Sequence, residues 1–180
     1  MTIFDILSTT LKIALFATII NLPVAIFIGW VLAKKKFKGK FLLDLFVSLP
    51  MALPPVVIGY FLLITLSSQN GLGSIINFNI VFTWIAASIA AAIVSFPLMV
   101  RSIIVSMSQV DEKIEQAAMI LGASEMRTFF TITLPLSYRG VLAGILLGFI
   151  RALSEFGATI VVAGNIPGQT QTIPLAIYGK

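Results

Sequence analysis

Two charges stand inside one of the longest apolar stretches of this chain: Arg151 and Glu155, in VLAGILLGFIRALSEFGATIVVA, residues 141–163. Four residues apart on a helix, they share a face and can pair. An unpaired charge near the middle of a bilayer costs at least about 2.5–3.5 kcal/mol, so pairing is the economical solution. Such a pair either fastens its helix within a bundle or sets a charge beside a path. Little else in the chain is equipped for chemistry. It has no His and no Cys, which removes thiol catalysis, disulfides, His metal ligation and His acid–base chemistry together. It has no phosphate loop of the G-x-x-x-x-G-K-[ST] kind. A few loop carboxylates are the only remaining catalytic candidates, so we expect no enzyme, no metal site and no cofactor in this chain.

The elements that must position Arg151 and Glu155 are membrane helices. The hydrophobic fraction is 58% and the charged fraction 11%, against roughly 45–50% and about 25% in soluble domains. A soluble fold of 180 residues cannot hide that much apolar surface. Runs of about 20 apolar residues suffice to cross a bilayer. They predict spans over about 13–32, 41–66, 80–100 and 141–163, a single all-α transmembrane bundle covering 1–180. Pro23, Pro50, Pro54, Pro55 and Pro97 lie in or at the ends of these spans. Pro54 and Pro55 remove two consecutive donors, which predicts a real break in the second span. We expect that break to abut whatever path the bundle forms.

Charge orients the bundle. Five of the twelve basic residues fall in KKKFKGK, 34–40, a juxtamembrane cluster that belongs in the cytoplasm and gives no reason to invoke nucleic acid. Residues 67–79, SSQNGLGSIINFN, are uncharged and belong outside. Segment 101–139 returns to the cytoplasm between Arg101 and Arg139, and NIPGQTQTIPLAIYG lies outside again. The chain is expected to be a multi-pass protein of the cell membrane with an external N-terminus. Its end in an apolar stretch suggests that a final span is missing.

Within the cytoplasmic segment, about 106–135 reads as helix, sharp turn, helix. Asp111 and Glu112 suit a helix N-terminus, Ile114, Ala117, Ala118 and Leu121 share a face, and Gly122 suits a left-handed cap. Ser124 caps a second helix whose Met126, Phe129, Phe130 and Thr133 share a face, and Pro135 should stop it. Such a pair either lies on the membrane surface or docks into a groove on a partner; periodicity does not separate the two.

The order Glu115, Gln116, Ala117, Ala118, Gly122, Ala123, then Ile132, Leu134 and Pro135, resembles the EAA loop of ABC importer permeases. LPMALPPVVIGYFLL (49–63) and RALSEFGATIVVAGNIPGQTQTIPLAIY (151–178) look like segments of permeases of the molybdate type. Sulfate/thiosulfate permeases share the R-A-x-x-E-F-G-A element but diverge at TQTIPLAIY. The resemblance implies an inner-membrane permease subunit of an ATP-driven importer for molybdate or a related tetrahedral oxyanion. It further implies a homodimer, a separate cytoplasmic ATPase that binds ATP and Mg, and an external oxyanion-binding protein. The docking pair is then the coupling loop, and Pro54, Pro55, Arg151 and Glu155 become candidates for the translocation path, with Arg151 lending positive potential to a dianion. Sulfate or tungstate remain alternative cargoes. An ATP-independent secondary transporter or channel, using Glu155 as a coupling carboxylate, is the alternative of another class.

Overall fold

The computed structural model describes residues 2–67 and 80–179; most of the predicted outer segment 67–79 lies outside the described residues. Helix α1 runs over Ile3–Lys34. It begins ten residues before the predicted span because Thr2 and Asp5 close a capping box, with the Thr2 N–H 2.8 Å from Asp5 Oδ2. The bilayer-crossing part is marked instead by its charges. Lys12 Nζ lies 3.7 Å from the centre of the Trp84 ring, a basic–aromatic pair of the kind found at membrane interfaces. From Lys12 to Lys34 a helix rises about 33 Å, which matches a hydrocarbon core of about 30 Å.

The second span is two helices, α2 (Lys40–Ala52) and α3 (Pro55–Leu66), bent by 107° at the Pro54–Pro55 break. Pro55 opens α3 at a position where no N–H is required. Helix α4 occupies Trp84–Ser108, so the third span starts four residues later and runs eight residues further than the predicted 80–100. Phe82, in the left-handed region at φ 63°, and the cap Thr83 precede it. Helix α5 (Glu112–Ile120) and the short α6 (Glu125–Thr128) form the predicted helix pair.

Pro135 does not stop the second of these. Its ring cannot donate to the carbonyl four residues back, and the ladder widens into a π-turn over Phe129–Thr133, where the Leu134 N–H reaches Phe129 O. Pro135 then falls in the first turn of α7 (Leu134–Leu136), a tolerated place. The chain turns by 73° into α8 (Tyr138–Leu153). The widened turn also splits the predicted apolar face: Phe129 and Thr133 are buried while Met126 and Phe130 are exposed. After a break at 154–156 come α9 (Gly157–Ala163) and α10 (Ile173–Tyr178). Among the described residues two helices are long and apolar enough to cross a membrane, or up to four spans if each bent pair counts as one.

Helix α4 is the axis of the bundle. Against its outer half pack Ile13, Ala14 and Ala17 of α1, Ile58 of α3 and Ala158 and Val162 of α9. Against its inner half pack Trp30 of α1, Val47 of α2, Phe129 and Val141. In lipid, close approach of small residues replaces the hydrophobic effect as the means of association. Gly140, Gly144 and Gly148 put a G-x-x-x-G-x-x-x-G row of α8 on α4, where added Cβ atoms would stand 2.0 Å from Ser106 Cβ, 3.0 Å from Met99 O and 2.7 Å from Met99 Cε. Asn21 of α1 donates from Nδ2 to Ala92 O at 2.8 Å and to Ser95 Oγ at 3.2 Å, which sets the register of α1 on α4. At the outer end the Ile173 N–H donates to Thr10 Oγ at 3.0 Å, so the last helix sits near the start of α1, at the opposite end from the basic cluster.

Candidate functional site

The predicted site residues fall into two groups. The first is the helix pair around Gly122, predicted to be a docking loop. Asp111 caps α5 by accepting the Lys113 N–H at 2.9 Å, and Ser124 caps α6 by accepting the Arg127 N–H at 3.3 Å. Between them, the Gly122 N–H bonds Met119 O and the Ala123 N–H bonds Ala118 O, each at 3.0 Å. This is the double bond of a Schellman turn, and its Gly122 stands at φ +92° with nothing within 4 Å of an added Cβ. The turn therefore needs glycine for its backbone conformation, and any larger side chain there points into open space.

Around that turn the surface is apolar. Ile120 and Leu121 are 85% and 87% exposed, with Ile114, Met119 and Met126 also exposed. Gln116, Ala117, Gly122 and Pro135 are exposed, while Ala118, Ala123, Ile132 and Leu134 are half-buried. Glu115 is different: it is the sole buried residue of α5, with Oε2 2.9 Å from Lys34 Nζ and Oε1 accepting from Thr133 Oγ at 2.5 Å. Of the two adjacent polar residues preceding the alanine pair, it is Gln116 that lies on the exposed side.

The second group lies where two helix breaks meet. Arg151 lies in the last turn of α8 and Glu155 stands in the break after it, so the two do not share one continuous helix as the spacing suggested, yet they pair: Arg151 Nη2 is 2.7 Å from Glu155 Oε2, with side chains 27% and 2% exposed. The other oxygen, Oε1, accepts the Ala158 N–H at 2.8 Å and so satisfies a free donor at the start of α9. A Cβ on Gly157 would lie 3.1 Å from Pro55 Cβ, and one on Gly59 only 2.6 Å from Ala158 O. The Pro54–Pro55 break and the 154–156 break are thus packed together, with the ion pair at the junction. Pro54 is exposed and Pro55 half-buried.

Residues 25–180 match the model of the family described as binding-protein-dependent transport system inner membrane component. The chain belongs to that family. It is a multi-pass helical permease of the inner membrane, a subunit of a transport system. It is 49% identical over 176 residues to the molybdenum transport system permease protein ModB of Haemophilus influenzae, covering 96% of this chain and 77% of that one. It is 47% identical to ModB of Escherichia coli K12, covering 94% and 76%. A probable sulfate transport system permease protein of Chlorokybus atmophyticus is 38% identical, with 95% and 61% covered.

Several residues that shape this permease carry a weak signal or none in the sequence. The glycine row of α8 is written in a spacing known for close helix contact. A further ion pair joins α4 to α2: Arg101 Nη1 lies 2.9 Å from Asp44 Oδ1 and Nη2 donates to Asp44 Oδ2 at 3.2 Å and to Ser48 Oγ at 2.5 Å. Arg101 reads as a simple orientation signal in the sequence, and Lys34 likewise; in the fold both are bonded to carboxylates on distant elements.

Proposed function

We propose that this permease carries molybdate, as one half of a homodimer powered by two cytoplasmic ATPase subunits and supplied from outside by an oxyanion-binding protein. The observation that carries the ATPase reading is the outward apolar surface at Ile120 and Leu121 around a Schellman turn. A helix that presents its apolar residues away from its own protein is shaped for a groove on another. Molybdate is favoured over sulfate because the ModB relatives are 47–49% identical and the sulfate relatives 36–38%. The engagement of Glu155 with both Arg151 and the Ala158 N–H argues against its use as a freely titrating coupling carboxylate, so the ATP-independent transporter is not preferred.

In this reading ATP-driven closure of the ATPase pair moves α5 and α6. The bundle then shifts from inward-open to outward-open, a change of population driven by contacts that differ between the two states. The packed breaks at Pro54–Pro55 and 154–156 are where bent helices give way most readily, and Arg151 is the cation beside them. The test is reconstitution in liposomes with ATPase and binding protein. Molybdate, tungstate and sulfate, each delivered by its binding protein, should stimulate ATP hydrolysis with molybdate foremost. Full uptake in the absence of any ATPase would overturn the proposal.

A further inference from the structure

Helix α5 is built inside out. A surface helix of an ordinary fold buries an apolar stripe and shows its polar face to water. Here Glu115 is the one buried residue, and the apolar Ile114, Ile120 and Leu121 face outward. What holds the helix to the bundle on this side is a charge. Glu115 Oε2 lies 2.9 Å from Lys34 Nζ at the end of α1, and the two side chains are only 9% and 11% exposed. Lys34 Nζ also donates to Val110 O at 2.7 Å, in the turn that follows α4. Glu115 Oε1 accepts from Thr133 Oγ in the π-turn. Thr133 lies one turn beyond Phe129, whose ring is 4.9 Å from that of Trp30 on α1. One carboxylate thus joins the docking helix to α1, to the end of α4 and to the π-turn that leads into α8.

We propose that Glu115 is a positioning residue for transport: it transmits displacement of α5 to α1 and the π-turn, and it is not a contact made with the ATPase. This rests on the reading of α5 as the ATPase-docking helix. An apolar seam has no preferred direction and lets two helices slide. A largely buried ion pair bonded at both ends resists sliding, because moving α5 alone leaves Lys34, 9% exposed, without its carboxylate. The second pair, Lys35 with Glu125, has side chains 31% and 65% exposed and carries little by comparison. A cavity of about 200 Å³ beside the Lys34–Glu115 pair, lined in part by Trp30, Glu112, Gln116 and Thr128, leaves space for the helix to shift while the pair stays closed.

The test uses the full importer in liposomes and measures molybdate moved per ATP hydrolysed. Glu115→Gln keeps the acceptor for Thr133 and removes the partner of Lys34. The ATPase should still copurify with this variant in the native proportion, while uptake per ATP falls at least about fivefold, the lower end of ordinary coupling between sites. The exchange K34E with E115K restores opposed charges but turns a carboxylate toward Val110 O, so it should recover only part of that loss. Native uptake per ATP in E115Q would overturn the proposal, and so would loss of the ATPase from the purified complex, since Glu115 would then be a docking contact. If E115Q fails to accumulate, Thr133→Val leaves the ion pair in place and should reduce uptake per ATP to a smaller extent; an unchanged ratio there is equally fatal. If the native chain binds no ATPase at all, it is the proposed function that has failed.

Discussion

Arg151 and Glu155 are close in the fold but not equivalent, and that asymmetry can be measured. Glu155 is 2% exposed and Arg151 27%. In Arg151→Gln the carboxylate is left buried with one remaining partner, the Ala158 N–H. Breaking a buried pair from one side costs about 3–5 kcal/mol, and the retained N–H bond places this case near the lower limit, about 3 kcal/mol. In Glu155→Gln the amide oxygen still accepts from Ala158, while the guanidinium, 27% exposed, loses its carboxylate within the span, so the cost should be about 2.5 kcal/mol, the lower limit for an unpaired charge in a bilayer. The double variant leaves no stranded charge and should be milder than either single one, at about 1 kcal/mol, giving a coupling of about 4.5 kcal/mol between the sites. Unfolding of the four proteins in mixed micelles, followed by circular dichroism, supplies the stabilities. If E155Q proved worse than R151Q, or the double variant cost the sum of the singles, the assignment of Glu155 as the buried partner would be refuted. Uptake then separates fastening from conduction. A double variant that folds normally and still imports molybdate at the native rate makes the pair a fastener only; one that folds and imports poorly puts the charge of Arg151 in the path.

Gly59→Ala should destabilise by about 1–3 kcal/mol and slow uptake, because the added Cβ would meet Ala158 O at 2.6 Å and Ala158 Cα at 2.9 Å, backbone that cannot retreat unless α3 and α9 separate. Gly148→Ala should be milder in the same unfolding assay, since its closest neighbour, at 2.7 Å, is the flexible end of Met99. Gly122→Phe meets no atom of its own chain near the backbone; beyond about 1–2 kcal/mol for a left-handed φ, confined to the turn, it should leave membrane levels normal and abolish ATPase copurification and uptake together. Asn21→Leu removes both bonds to α4 and should cost about 0.6 kcal/mol and at most about 1.7 kcal/mol, the range for interhelical hydrogen bonds in lipid, as read from thermal unfolding.

What was legible in the sequence is what a short window of residues decides. Apolar runs announced the spans, two adjacent prolines announced the break between α2 and α3, and a glycine with alanines before it announced the turn at Gly122. The rule that proline ends a helix failed at Pro135 because it assumes an α-ladder throughout, and a π-turn five residues long is enough to carry the chain past it. The four-residue spacing of Arg151 and Glu155 suggested one helix face; the pair exists, but with a helix end between its members, so the same contact also serves to cap α9.

The inverted α5 shows why the rest stayed hidden. Ile114, Ala117 and Leu121 have the same period whether their face is turned inward or outward, so amphipathicity alone cannot say which side of a docking helix belongs to its own protein. In water the apolar side would turn inward by default. At a membrane surface that default is lost, because lipid is as apolar as a core. Polar contacts then decide orientation: Asn21 on Ala92, Arg101 on Asp44, Lys34 on Glu115 and Thr10 with Ile173. Each joins residues far apart in the chain, and each involves a residue that, taken singly, reads as a stray polar group or an orientation signal. The bundle's register is therefore written in a few long-range polar pairs, and α5 has an inside because Lys34 is there to meet Glu115.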